Sequence, residues 1–194
     1  MPNWCYQNII INCKNEVKAE ELFKKIEEWT SHNFIKNGFG HNWLGNVVGN
    51  SGIDTIEKGD FQKYGCRGEI TDMDMYGEEI TIHADTAWSP MLQLWKAVCD
   101  KYCPEAEITF EATEPGVGLF LTNDEDLIGK YNLDSWSDKI DPAWDISKED
   151  LIHILKEYFE SDSEDINYYN KLLYEQECDF SFHEWEKCDI ADCY

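Results

Sequence analysis

The chain has 194 residues, with 40 Asp or Glu against 16 Lys or Arg and a formal net charge of −24. It is 42% hydrophobic and contains 8 Trp, which excludes a disordered acidic tail and allows a buried core. A field of that sign repels nucleic acid and anionic membrane and attracts basic surfaces, so the expected partners exclude direct nucleic acid and membrane.

Strand residues dominate Trp4-Cys5-Tyr6-Gln7-Asn8-Ile9-Ile10-Ile11-Asn12-Cys13. Asn15 offers an N-cap, and Val17, Leu22, Phe23, Ile26 and Trp29 then recur at helical spacing, predicting an amphipathic helix over roughly 16–31. A glycine-punctuated stretch follows, from Gly38 to Gly52, with a short helix expected over 42–48. Gly68–Tyr76 and Glu79–Asp85 read as a hairpin turning at Gly77. Ser89-Pro90 reads as the cap and first turn of a helix lined by Leu92, Leu94, Trp95, Val98 and Tyr102 and ended by Pro104. Glu107–Ala112 alternates as a strand, Glu114-Pro115-Gly116 is a turn, and Leu119-Phe120-Leu121 suits a further short strand.

The order β-α-β-β-α-β predicts an α+β, ferredoxin-like domain over residues 1–122, an antiparallel sheet with two helices. Residues 123–146 read as an acidic linker with Trp136 and Trp144 isolated. Residues 147–194 read as a helical acidic C-terminal extension: Ser147 caps a stripe of Leu151, Ile152, Leu155 and Tyr158, and Ile166, Tyr169 and Leu172 make a second one.

Several short motifs resemble the YubB-like ferredoxin-fold domains of plasmids, phages and other mobile elements. They are Met1-Pro2-Asn3-Trp4-Cys5 with Asn8, Asn42-Trp43-Leu44-Gly45-Asn46, Cys66-Arg67-Gly68, Asp85-Thr86-Ala87-Trp88-Ser89-Pro90 and Glu114-Pro115-Gly116-Val117-Gly118. Together they cover residues 1–122 in order. The chain departs from the family at 64–69, where relatives carry a tryptophan and this sequence has none. The resemblance implies a fold and a mobile-element setting, and no reaction.

No apolar run reaches 18 residues, and the N-terminus lacks the features of a signal peptide, so the expected location is the host cytoplasm. In that compartment the 8 cysteines default to buried thiols, Cys13 and Cys99 most clearly. Cys178, His183, Cys188 and Cys193 recur every five residues, but only Cys188-x4-Cys193 has the spacing of a ligand-presenting loop, and 179–183 also reads as a strand; no metal and no cofactor are assigned. His83 beside Asp85 suits a surface pair, and His41 has no evident partner. Gly38-Phe39-Gly40 lacks the third glycine of a phosphate loop. No catalytic residues are assigned, and the chain is not expected to be an enzyme.

What remains is charge. Residues 1–110 hold 10 basic and 17 acidic residues, whereas 111–194 hold 6 and 23. The expected partner-binding residues are Glu111, Glu114, Asp124, Glu125, Asp126, Asp134, Asp138, Asp141, Asp145, Glu149, Asp150 and Glu157, with Trp88 at the junction of strand and helix. Carboxylates in rows on a rigid fold would occupy the basic cleft of a nucleic-acid enzyme. The expected function is an inhibitor that binds a basic host protein, such as a nuclease or a CRISPR or restriction effector, by nucleic-acid mimicry. The alternative is an accessory or scaffold domain that binds a protein through the Trp88 region. The sequence leaves the oligomeric state open.

Overall fold

The computed structural model describes residues 3–34, 39–54, 56–57, 60–61, 63–64 and 66–193; Met1, Pro2, Gly38 and Gly65 of the sequence motifs lie outside them. The chain forms two compact units, Met1–Asn123 with Cys188–Tyr194, and Asp124–Lys187.

In the first unit the chain order is β1 (Trp4–Asn12), α1 (Glu16–Thr30), α2 (Leu44–Ser51), a small antiparallel pair β2 (Ile56–Glu57) and β3 (Asp60–Phe61), then β4 (Gly68–Tyr76), β5 (Glu79–Ala87), α3 (Leu92–Tyr102), β6 (Glu107–Glu114) and β7 (Leu119–Thr122). Within this unit the main sheet has the order β7-β6-β1-β5-β4. Its pairs from β7 through β4 are antiparallel.

Period-two alternation sets the buried face of β1: Cys5, Gln7, Ile9 and Ile11 point inward. The three apolar ones share a core with Ala19, Leu22, Ile26 and Trp29 of α1 and Leu92, Leu94, Trp95 and Val98 of α3. Asn15 caps α1, its side-chain oxygen accepting from the Lys18 N–H at 3.2 Å. Val17 is 62% exposed, because the core stripe runs 19, 22, 26, 29 and leaves position 17 on the outer side. The Trp29 and Tyr102 rings pack 4.9 Å apart.

One expected cap is absent. Helix α3 begins at Leu92 after Met91, with no side-chain cap, so Ser89 and Pro90 precede the helix instead of opening it. The Ser89 carbonyl accepts from the Thr86 hydroxyl at 2.7 Å, which ties the residue to the strand it leaves.

The second unit holds β8 (Tyr131–Ser135), β9 (Ala143–Ile146), α4 (Lys148–Phe159), α5 (Ile166–Glu175) and β10 (Phe180–Glu184). Its antiparallel sheet has the order β10-β8-β9. Tyr131, Leu133, Ile140, Leu151, Leu155, Tyr169, Phe180 and Phe182 form its own core. The stretch 123–146 is therefore no linker. Tyr131 and Leu133 are only two inward residues, too few to signal a strand; Glu184 and Phe182, about fifty residues on, pair opposite them and complete the ladder. Nor is 147–194 only helical, since it contains β10 and a two-residue strand, β11 (Glu186–Lys187). Its last residues, 188–193, rejoin the core of the first unit, where Cys193 is buried. Among the described residues no helix is long and apolar enough to cross a membrane.

Candidate functional site

Four of the short sequence motifs, at Asn3, 42–46, 66–68 and 85–90, interlock around the ends of β4 and β5. Trp43 donates its indole N–H to the Cys66 carbonyl at 2.6 Å, and its ring lies where a side chain on Gly45 would stand. Asn42 accepts from the Ile70 N–H at 2.9 Å. Gly68 is opposite Thr86 in register, and a Cβ there would come within 2.2 Å of the Asp85 carbonyl oxygen. Beyond β5 the chain reverses at Trp88, whose φ of +76° is an uncommon conformation for so large a residue. The Trp88 N–H donates to the Asn3 carbonyl at 2.9 Å, and the Ala87 N–H to the Arg67 carbonyl at 2.8 Å. These bonds hold the strained residue in place.

Trp88 is 54% exposed and Trp4 42%, so they do not form a core cluster with the buried Trp43. Tyr6 is 51% exposed. In register, Trp4 pairs with Ala87 and Tyr6 with Asp85, so three exposed aromatic residues gather at this end of the sheet. Asp85 also faces Glu69 across the β4–β5 pair. Burial and then the Glu69 charge raise the Asp85 carboxyl above its ordinary value. His83, two residues away on β5, is exposed.

Beneath this turn lies a polar layer that no motif announced. Gln7, 4% exposed, donates to the Thr86 hydroxyl at 2.6 Å and accepts from the Met91 N–H at 3.2 Å. A residue 84 positions away thus satisfies the backbone just before α3. The signal for it was a polar residue at an inward position of β1, between Cys5 and Ile9.

Glu114 occupies the equivalent inward phase of β6, after Phe110 and Ala112, and is 4% exposed, with its Oε2 lacking a hydrogen-bond partner. It cannot present charge to a protein partner, which removes it from the expected acidic surface. Glu111, on the alternate phase of β6, is half-buried.

The remaining predicted carboxylates belong to the second unit, which carries 19 Asp or Glu against 6 Lys. Glu125, Asp126, Asp138, Asp141, Asp145, Glu149, Asp150 and Glu157 are exposed, while Asp124 and Asp134 are half-buried. Several are tied into local structure. Asp124 accepts from the Asp126 N–H at 2.9 Å, Asp145 from the Trp185 indole at 3.0 Å, and Asp150 from the Ser147 hydroxyl at 2.7 Å. Asp141 and Glu157 come together on one groove of about 750 Å³, with Ile140, Pro142, Ile154 and Tyr158 as its apolar lining and Lys139 also on it. Glu149 borders a second, of about 460 Å³, with His153 and Lys156. Exposed Trp136 and Trp144 belong to the same unit.

The thiols of Cys5, Cys13, Cys66 and Cys99 are pushed up to about 12, by burial first in each case, and are poor nucleophiles. Among the described residues no group of three or more His, Cys, Asp or Glu is placed to hold a metal ion. His183 lies on β10, its pKa lowered by burial against the opposing pull of Asp134. Comparison with protein-family models, curated proteins and solved structures finds no match.

Proposed function

We propose that this chain is a non-catalytic binding protein whose acidic second unit engages a basic protein partner and competes there with nucleic acid. The observation that carries the reading is that 19 carboxylates against 6 lysines ride on a unit with its own core, most of them exposed on defined strands, helices and turns. Six cations cannot neutralise them, and a fixed array loses less entropy on binding than a charged tail. In this reading the first unit is a ferredoxin-like, YubB-like domain, supported by the strand order β6-β1-β5-β4 and the convergence of the motifs. The setting is then a mobile element acting in the host cytoplasm, and the partner a nuclease or a CRISPR or restriction effector.

The test is capture of partners from host lysate at low and high salt, followed by competition with duplex DNA. A nucleic-acid-binding partner should elute with salt, be displaced by DNA, and be lost on the double substitution Asp141→Lys with Glu157→Lys. Salt-insensitive binding that survives the charge reversals would overturn the mimicry.

A second reading, an accessory domain that binds protein through the strand-end turn, is favoured by the half-exposed Trp88 in a strained backbone. It requires the reverse pattern: Trp88→Ala abolishes binding and the charge reversals spare it.

A further inference from the structure

The last described residues fold into a short turn whose two thiols meet. Cys188 and Cys193 have their sulfurs 2.8 Å apart, and both donate toward the same carbonyl, that of Asp189, at 3.5 and 3.6 Å. The turn is built to hold them there. The Asp192 N–H donates to Asp189 at 2.9 Å and the Cys193 N–H to Ile190 at 3.3 Å, closing a single turn of 3-10 helix. At one end the Cys188 N–H bonds the Thr122 carbonyl at 2.9 Å; at its middle the Gln93 side chain bonds the Ala191 carbonyl at 2.6 Å. Cys193 is buried in the core and Cys188 is half-buried, so one sulfur is reachable and the other is held behind it.

We propose that Cys188 and Cys193 form a thiol-modification site that reacts with a low-molecular-weight disulfide and closes to an intramolecular disulfide. With glutathione disulfide as the oxidant, the Cys188 thiolate attacks one sulfur, forming a mixed disulfide and expelling one glutathione thiolate, which takes up a proton. Cys193 then gives up its proton and attacks the Cys188 sulfur, breaking the mixed disulfide and expelling the second glutathione. Two electrons and two protons pass from the cysteine pair to glutathione disulfide, which leaves as two glutathione thiols. The order follows from access. Burial, and then the neighbouring Cys188, raise the Cys193 thiol, so it serves as the resolving partner, and proximity compensates for its low thiolate fraction. The bond would close a covalent clasp over the segment packed on α3. The buried thiols of Cys5, Cys13 and Cys99 lack such access and remain reduced.

The test treats the folded full chain with glutathione disulfide, alkylates remaining thiols under denaturing conditions, and cleaves after Lys187 with trypsin. The peptide beginning at Cys188 should be unalkylated and lighter by two hydrogens than its reduced form. Cys193→Ser should stop at a glutathione adduct on Cys188, and Cys188→Ser should leave the peptide unmodified over the same interval. A wild-type peptide that remains doubly alkylated, or one that retains a stable glutathione adduct, would overturn the proposal; neither depends on how the variants fold.

Discussion

Replacing Gln7 by Met keeps the length and shape of the side chain and removes its hydrogen bonds. The Met91 N–H then loses its acceptor at 3.2 Å and the Thr86 hydroxyl loses a donor at 2.6 Å, all in a buried layer. An orphaned buried donor costs about 1–3 kcal/mol, while burying a thioether in place of an amide returns about 1 kcal/mol. The expected net loss is about 1 kcal/mol, read as a lowered urea midpoint at unchanged slope. Thr86→Val removes the next link, because Thr86 both accepts from Gln7 and donates to the Ser89 carbonyl. Since the two residues share one bond, the double variant should lose less than the sum of the singles, by about 1 kcal/mol. The turn that presents Trp88 rests on this chain, so near-ultraviolet circular dichroism of the folded variants should change as well. A Gln7→Met protein within about 0.5 kcal/mol of wild type, or strict additivity in the double variant, would refute the reasoning.

Gly68→Ala should cost more than Gly77→Ala, although only Gly77 has a positive φ, +60°. At Gly68 the new Cβ meets the Asp85 carbonyl at 2.2 Å and the Thr86 Cα at 2.8 Å, atoms that move only if β4 and β5 part; about 3 kcal/mol or failure to fold is expected, against about 1 kcal/mol at the open Gly77 turn. Denaturation midpoints of the two variants decide it. Asp85→Asn should stabilise the protein at neutral pH. The folded pKa is raised, so the ionised form is disfavoured in the native state, a penalty that is full above the folded pKa and gone below the unfolded value. The gain should therefore shrink as pH falls toward the ordinary carboxylate range, and a gain independent of pH would contradict this.

Where the sequence was informative, the signal was local. Asn15 and Ser147 cap helices because each side chain meets a backbone N–H three residues ahead, at 3.2 and 3.1 Å. The hairpin of β4 and β5 was legible from its alternation and the glycine between. The segment 131–146 was not, because its strands are short and acidic and acquire an apolar face only when Phe180 and Phe182 arrive from the far end of the unit. Glu114 looked like one more carboxylate in an acidic run, although its phase with Phe110 and Ala112 marked it as inward. Ser89-Pro90 had the composition of a helix start, but the Thr86 bond to the Ser89 carbonyl and the bond from Met91 to Gln7 decided where the helix begins.

By itself, the sequence determined the charge, the alternation of β1, the caps of α1 and α4 and the β-α-β-β-α-β order of the main elements in the first 122 residues, because these rest on neighbours within one turn or one strand; it did not announce the small β2–β3 pair. Only the tertiary structure decided that residues 124–187 are a packed unit, that Glu114 is buried, that Trp88 is half-exposed in a strained turn, and that Cys188 meets Cys193 beside α3. The first three depend on groups brought together across dozens of residues, and the Cys188–Cys193 turn is held by bonds from Thr122 and Gln93; burial is a property of such meetings that no local pattern carries.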